Sequence, residues 1–419
     1  MSFRIFASAV LRQNRSAHTR KPAAVKRRQY HLRQSGTERL ELRTMLSSTQ
    51  FGESQVILEA ELAELKSVVA ADIDHDGDQD LVAASWRDDK VVWYENLDGT
   101  GRFGEQQVIT TDAKHAQCVF VADIDGDDDL DVLSASSEDD KLAWYPNLDG
   151  AGKFGEAIII STQLDYPLDI VAADLDGDGD LDVLSAGNDD GDIAWFENQD
   201  GLGTFGPQQV IANKKYVVQV AVADLDGDGD VDIVAASYRG SVDWFANDGS
   251  KGFELAGSID SASTLLHRIQ LLDADGDGDQ DLAVATIGST SEQVAQLAWY
   301  ENTDGLGGFT QRHNIAGQLW GYVAMGAADI DGDGDLDLLA TSPHFSLNTS
   351  PPMPQVYWYE NADGDGSFVQ YVVTEATLGS SPRAVSAADL ESDGDLDILA
   401  GVGTDIATSA CNREIGEQD

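Results

Sequence analysis

The sequence predicts an all-β chain: a seven-bladed β-propeller of four-stranded antiparallel blades, its ring closed by an N-terminal strand in blade seven. Three observations carry that expectation. An aspartate-rich motif recurs seven times at nearly constant spacing, an aromatic pair follows most copies at one fixed place, and the two ends of the chain hold complementary parts of a single repeat. A period of about fifty residues containing several strand-like runs is the mark of blades arranged around an axis.

The motif Asp-x-Asp-x-Asp-Gly-Asp-x-Asp, with small departures, begins at Asp72, Asp123, Asp174, Asp224, Asp273, Asp329 and Asp389, at intervals of 51, 51, 50, 49, 56 and 60 residues. An apolar run such as Ile170-Val171-Ala172-Ala173 leads into it, and Leu181 to Ala186 follows with the pattern of a half-buried strand. A third strand ends in Trp93-Tyr94-Glu95-Asn96 or its counterpart, with tryptophans at 144, 195, 244, 299 and 358. An Asp-Gly turn then predicts a hairpin into a fourth strand, opened by Phe103-Gly104, Phe154-Gly155, Phe205-Gly206, or by Phe253, Phe309 and Phe368 without the glycine. Six of the eight tryptophans fall in these pairs, and recurrence at one blade position predicts packing between neighbouring blades.

The ends fit together. Phe51 to Ile57 reads as a fourth strand without its own third, whereas the last repeat holds two strands, Ala384 to Ala400, and no aromatic pair. The first segment should complete the last blade and remove an open sheet edge.

Calcium needs six to eight oxygen ligands, and carboxylates at alternate positions of a tight loop can point to one centre while glycine lets the backbone turn. On these Asp loops and Phe-Gly turns, residues 50–400 resemble the FG-GAP/VCBS repeat family, the propeller type at the head of integrin α subunits and in many bacterial secreted proteins. The resemblance implies side-chain ligands at loop positions one, three, five and nine and a carbonyl at position seven. Carried over, the candidate calcium residues are Asp72, Asp74, Asp76, Asp78 and Asp80; Asp123, Asp125, Asp127, Asp129 and Asp131; and Asp174, Asp176, Asp178, Asp180 and Asp182. They continue as Asp224, Asp226, Asp228, Asp230 and Asp232; Asp273, Asp275, Asp277, Asp279 and Asp281; Asp329, Asp331, Asp333, Asp335 and Asp337; and Asp389, Glu391, Asp393, Asp395 and Asp397. Up to seven Ca²⁺ sites follow. Two copies depart from the pattern: Asp128 replaces the turn glycine of the second, and the seventh has Glu391 and Ser392, which predicts its weakest site. His75 occupies a variable position of the first copy and leaves its ligand set whole.

If the Asp loops follow the first strand, they share one face of the disc. The opposite face is then built from loops holding Trp86, Arg87, His115, Tyr166, Tyr216, Tyr238 and Arg239, and further on His267, Arg268, Trp320, Tyr322, His344, Phe345 and Arg383. Aromatics with scattered cations on an acidic protein suit a sugar or a peptide carboxylate. The expectation is a binding or adhesion module for a protein or carbohydrate partner. The rival is a lyase-like carbohydrate-active enzyme with a His/Arg metal centre on that face, but no Gly-x-Ser-x-Gly or His-Glu-x-x-His motif is present.

Formal net charge is -49, from 75 acidic and 26 basic residues, which argues against a nucleic-acid partner. Yet residues 1–49 hold eleven of the basic residues and only two acids, so they read as a separate basic leader preceding a propeller at 50–419. Within the leader, Leu40-Glu41-Leu42-Arg43-Thr44-Met45-Leu46 resembles the LEPRxLL motif near the N-terminus of many planctomycete proteins, which implies export or surface display. Millimolar extracellular calcium agrees with that location. No apolar run is long enough to cross a bilayer, and a monomer is expected. Of the two cysteines, Cys118 lies in an apolar run and reads as a buried thiol; a bridge to Cys411 cannot be argued from sequence.

Overall fold

The computed structural model describes residues 64–402 apart from 240, 250–251, 261–264, 288–294, 320–322, 343–354 and 376–381, together with Leu62 and the strands Gln55–Leu58 and Asp405–Ser409. The described secondary structure is all β, without a helix. In the first blade the strands are Leu65–Ala71, Asp80–Ser85, Lys90–Tyr94 and Gln107–Thr110, hydrogen-bonded in that order as an antiparallel meander. Five more four-stranded sheets of consecutive strands occupy 116–161, 167–213, 217–260, 265–319 and 325–375.

The expectation of seven blades takes a modified form. Six blades are built from consecutive strands; in the place of a seventh stands a composite sheet of Pro382–Ala388, Asp397–Val402, Asp405–Ser409 and Gln55–Leu58. Gln55–Leu58 pairs antiparallel with Asp405–Ser409, so opposite ends of the chain meet in one sheet. The innermost strands lie side by side in cyclic order, and Pro382–Ala388 touches the inner strands of both the sixth blade and the first. The fold is a β-propeller.

Local sequence explains the layers. Second strands such as Asp80-Leu81-Val82-Ala83-Ala84-Ser85 are buried along their whole length, because both faces of a blade are covered by its neighbours. The cores accordingly lie between blades. Val82, Ala84 and Trp93 of the first blade pack with Val119, Val132, Ala143 and Tyr145 of the second. Leu65, Leu81 and Tyr94 pack with Ala384, Leu390 and Leu399 of the composite sheet.

The tryptophans do what their periodicity predicts. Trp93, Trp144, Trp195 and Trp244 meet Phe154, Phe205, Phe253 and Phe309 of the following blade edge-on, with ring centres 6.4–6.5 Å apart. Each of Gly152, Gly203, Gly307 and Gly366 lies so close to a preceding blade's tryptophan that a Cβ would overlap the ring.

Because every inner strand runs the same way, its Asp loop ends on one face and its first residues start on the other. Lys66 and Asp72 are six steps apart in an extended strand, about 20 Å. The two faces are separate surfaces.

Candidate metal centres and ligand face

Each acidic loop is folded by its own carboxylates. The first-position aspartate accepts the N–H of position six in all seven copies, at 2.9–3.2 Å, from Gly77 to Asp72 through Gly394 to Asp389. The fifth-position carboxylate accepts the N–H of position seven, as Asp78 to Asp76 at 2.9 Å and Asp180 to Asp178 at 3.0 Å. These bonds wind the chain around a centre toward which the remaining oxygens turn. Side chains at position seven lie elsewhere: Asp78, Asp129, Asp180, Asp230, Asp279 and Asp335 press on the hairpin glycines Gly99, Gly150, Gly201, Gly249, Gly305 and Gly364.

The ninth position is buried and held twice. Asp80 Oδ2 accepts Ile73 N–H at 3.0 Å and Oδ1 accepts Asn96 N–H at 2.7 Å; Asp131, Asp182, Asp232, Asp281 and Asp337 repeat both contacts. The asparagine in turn reaches the preceding loop. Asn147 Nδ2 donates to the Ile73 carbonyl at 2.9 Å, and Asn96, Asn198, Asn247, Asn302 and Asn361 donate to the matching carbonyls of Leu390, Ile124, Leu175, Leu225 and Ala274 at 2.7–3.0 Å. The sequence displayed this asparagine in every aromatic signature, but its role needs a partner 72 or more residues away.

The loops fit a hard cation. Ligand atoms of Asp72, Asp74 and Asp80 lie within 4.8 Å of one another, as do those of Asp123, Asp125 and Asp127, of Asp174, Asp176 and Asp178, and of Asp224, Asp226 and Asp232. Buried Oδ1 atoms of Asp72, Asp125, Asp275 and Asp329 have no hydrogen-bond partner, a costly arrangement for an oxygen unless a cation takes its lone pairs. Burial, then repulsion from the fifth-position carboxylate, raises Asp74, Asp125, Asp226 and Asp275, and Asp331 to about 6. Burial carries Asp80, Asp182, Asp281 and Asp337 up to about 7, and Asp131, Asp232 and Asp397 to about 6, against the pull of their backbone N–H donors. Such crowding is what a divalent ion relieves.

The variant copies keep the loop shape. Asp128 adopts φ +73° where Gly77, Gly179 and Gly229 adopt +96 to +99°. A Cβ at those glycines would meet nothing within 4 Å, so backbone conformation alone favours glycine there. His75 and Ser392 are also left-handed, and both bridge to the next blade's seventh position: His75 Nε2 lies 3.4 Å from Asp129, and Ser392 Oγ donates to Asp78 at 3.2 Å.

At the opposite end of the axis a cavity of about 410 Å³ is lined by Lys66, Gln117, Tyr166, Leu168, Val218, Tyr238, Arg268, Val323, Ala324 and Arg383. Its construction is regular. The pairing of inner and second strands slips at one place in five blades and in the composite sheet, and the slip leaves Lys66, Gln117, Val218, His267 and Arg383 without a cross-strand partner, and Leu168 with its neighbour Asp169. A bulge of this kind re-aims side chains. The residues just before the inner strands, Glu64, His115, Tyr166 and Tyr216, share positive φ values of 54–64°.

The predicted face residues divide between funnel and rim. Tyr166, Tyr238, Arg268 and Arg383 line the cavity. On the rim, Trp86 stacks on His115 with ring centres 4.1 Å apart, Arg239 lies over the Tyr216 ring, and His115 Nε2 sits 3.2 Å from Glu138. Trp320, Tyr322, His344 and Phe345, and the side chain of His267, lie outside the described residues, as does the convergence of three histidines that a lyase-like centre requires. Lys66 and Glu64 were missed: nothing local reveals the bulge that re-aims Lys66, or the ion pair it makes with Glu64.

Fold and loops together define a repeat propeller with acidic turns on one end. A family model described as FG-GAP-like repeat matches residues 72–134, 123–185, 174–235, 224–284, 273–340 and 345–400, well over half of the chain. The chain belongs to the FG-GAP-like repeat family. No curated protein is similar enough to count as a relative. Among solved structures, the BP39L lectin of Burkholderia pseudomallei is similar at TM-score 0.60 and 15% identity, covering 84% of this chain and 95% of that one. An Agrocybe aegerita lectin described for specific recognition of non-reducing terminal N-acetylglucosamine is similar at 0.53 and 19%, covering 75% and 81%. BBS1N, solved in complex with ARL6DN, is similar at 0.56 and 14%, covering 87% and 98%. At these identities the likeness is one of fold. Among the described residues no helix is long and apolar enough to cross a membrane.

Proposed function

We propose that this chain is a calcium-binding propeller displayed outside the cell, which holds a protein or glycan partner in the funnel opposite its acidic loops. The observation that carries the reading is the funnel itself: bulged residues from successive blades converge on one concave cavity, rimmed by tyrosines. Propeller neighbours that are lectins, or that were solved with a protein partner, support this class of role.

In this reading calcium is structural. Position one, three, five and nine carboxylates would hold the ion, and the asparagine contacts would pass its stiffening from blade to blade. The composite sheet serves as a seventh blade, closing the ring. The basic leader directs export; its LEPRxLL-like segment and the suitability of millimolar calcium for such loops support that location.

The test is a glycan and protein array probed with the full chain in calcium and in chelator, with funnel variants alongside. Calcium titration should show heat from several sites, and partner binding should fall when Tyr166 and Tyr238 are replaced by alanine. Binding indifferent to both substitutions would move the partner face elsewhere.

A further inference from the structure

The funnel is not evenly lined. Lys66 and Arg383 stand on adjoining inner strands, Arg268 lies near buried Asp169, and Leu168 and Val218 line the wall from the third and fourth blades. Glu64 is a shared counter-charge: its carboxylate lies 3.2 Å from Lys66 Nζ, 3.4 Å from Arg383 Nη1 and 2.9 Å from Arg87 Nε. One carboxylate therefore faces three cations. Lys66 and Glu64 are largely covered, with side chains 17% and 20% exposed, whereas Arg383 and Arg87 are 40% and 66% exposed, so the net positive charge of the cluster is presented to solvent, where an incoming anion can reach it.

Such a cluster is unusual on a chain of net charge -49. We infer that the funnel is an anion site, which takes the carboxylate of a terminal acidic sugar. The sugar's charged edge meets Lys66, Arg268 and Arg383, and its apolar face lies toward Leu168 and Val218 between Tyr166 and Tyr238. This inference rests on the reading of the funnel as the partner face and adds the ligand's charge and size to it.

Two features favour a single acidic sugar over a polyanion. An open concavity of only about 410 Å³ has room for one ring rather than a running chain. The rim above the third blade is itself acidic, where partial desolvation and then repulsion from Asp140, Asp189 and Asp190 raise Asp165, so a polymer with many negative charges is turned away.

The experiment is calorimetric titration of the full chain, in saturating calcium, with methyl glucuronide, methyl glucoside and a short peptide ending in two glutamates. The glucuronide should bind about tenfold tighter than the glucoside. Lys66→Gln and Arg383→Gln should each weaken the glucuronide about tenfold, whereas Glu64→Gln, which removes the competing carboxylate, should strengthen it severalfold. The opposite sign of the Glu64 variant separates a charge effect from general damage, and it stands if either cation variant fails to fold. Equal binding of glucuronide and glucoside, or weaker glucuronide binding by Glu64→Gln, overturns the anion site. Binding of the acidic peptide with the glucuronide silent overturns the sugar. If array partners bind the funnel while both glycosides and the peptide are silent, the charge assignment fails and the partner face survives.

Discussion

Asn147 donates its side-chain N–H to the carbonyl of Ile73, 74 residues earlier, while its own backbone N–H is held by Asp131. One residue thereby joins the acidic loop of its own blade to that of the blade before. Asn147→Ala leaves the Ile73 carbonyl and Gly152 N–H without this side chain in a buried place. A loss of about 3 kcal/mol is expected by chemical denaturation in calcium. Calcium affinity should fall as well, and an unchanged denaturation midpoint would count against the clasp.

The blade contacts make glycine necessary at one hairpin position. Gly152→Ala places a methyl in the Trp93 ring at φ +76°, whereas Gly101, at φ +69°, faces the composite sheet, where the nearest atom to a Cβ is Glu391 Cγ at 3.8 Å. Both substitutions carry a similar backbone cost. Gly152→Ala should therefore be the more destabilising by about 1–3 kcal/mol, the cost of overpacking. Equal melting points would show that Trp93 moves aside freely.

Without calcium the ninth-position carboxylates give an inverted pH dependence. Their folded pKa values of about 6 to 7 exceed the ordinary aspartate value of about 3.9, so the folded state binds the extra protons. The stability from those protons is complete below about pH 4 and is lost as pH rises through about 6 to 7. In chelator the melting temperature should fall between about pH 5 and about pH 8; in saturating calcium, which holds these carboxylates charged in the folded state as they are in the unfolded chain, that fall should disappear. Parallel curves would argue against ion binding in these loops.

Asp128→Gly should stabilise the second loop. It replaces a strained φ of +73° with the residue that occupies this position in the other copies and removes one charge from a crowded turn. A gain of up to about 1 kcal/mol is expected from denaturation in calcium, reduced by the greater freedom of glycine in the unfolded chain.

Cys118 should be inert in the folded protein. Its thiol donates to Asp169 Oδ1 at 3.3 Å, and burial, reinforced by that carboxylate, pushes it up to about 12. In a Cys411→Ser background a disulfide reagent should label it only as fast as the chain opens, and at once in denaturant. Rapid labelling of the native protein would place the thiol at a surface.

Much of the fold was readable because repetition averages out local ambiguity. Asp174 to Asp182 alone is a polar turn; seven copies in register are blades, and Gly179 shows why the turn can form. The aromatic pair ending at Trp195-Phe196 was likewise legible as packing. The partner of Trp195, Phe253, was not, because the edge-on contact crosses a blade boundary.

The sequence by itself determined the strand order within each repeat, the acidic loops and the candidate ion ligands. These depend on spacing within about fifty residues, where hydrogen-bonding groups and apolar periodicity act locally. Only the tertiary structure decided that Asn147 closes on Ile73, that the contiguous blades number six beside one composite sheet, and that Lys66 and Arg383 share Glu64. The physical reason is distance along the chain. Lys66 and Arg383 lie near opposite ends of the sequence, and become neighbours only because ring closure places the composite sheet against the first blade.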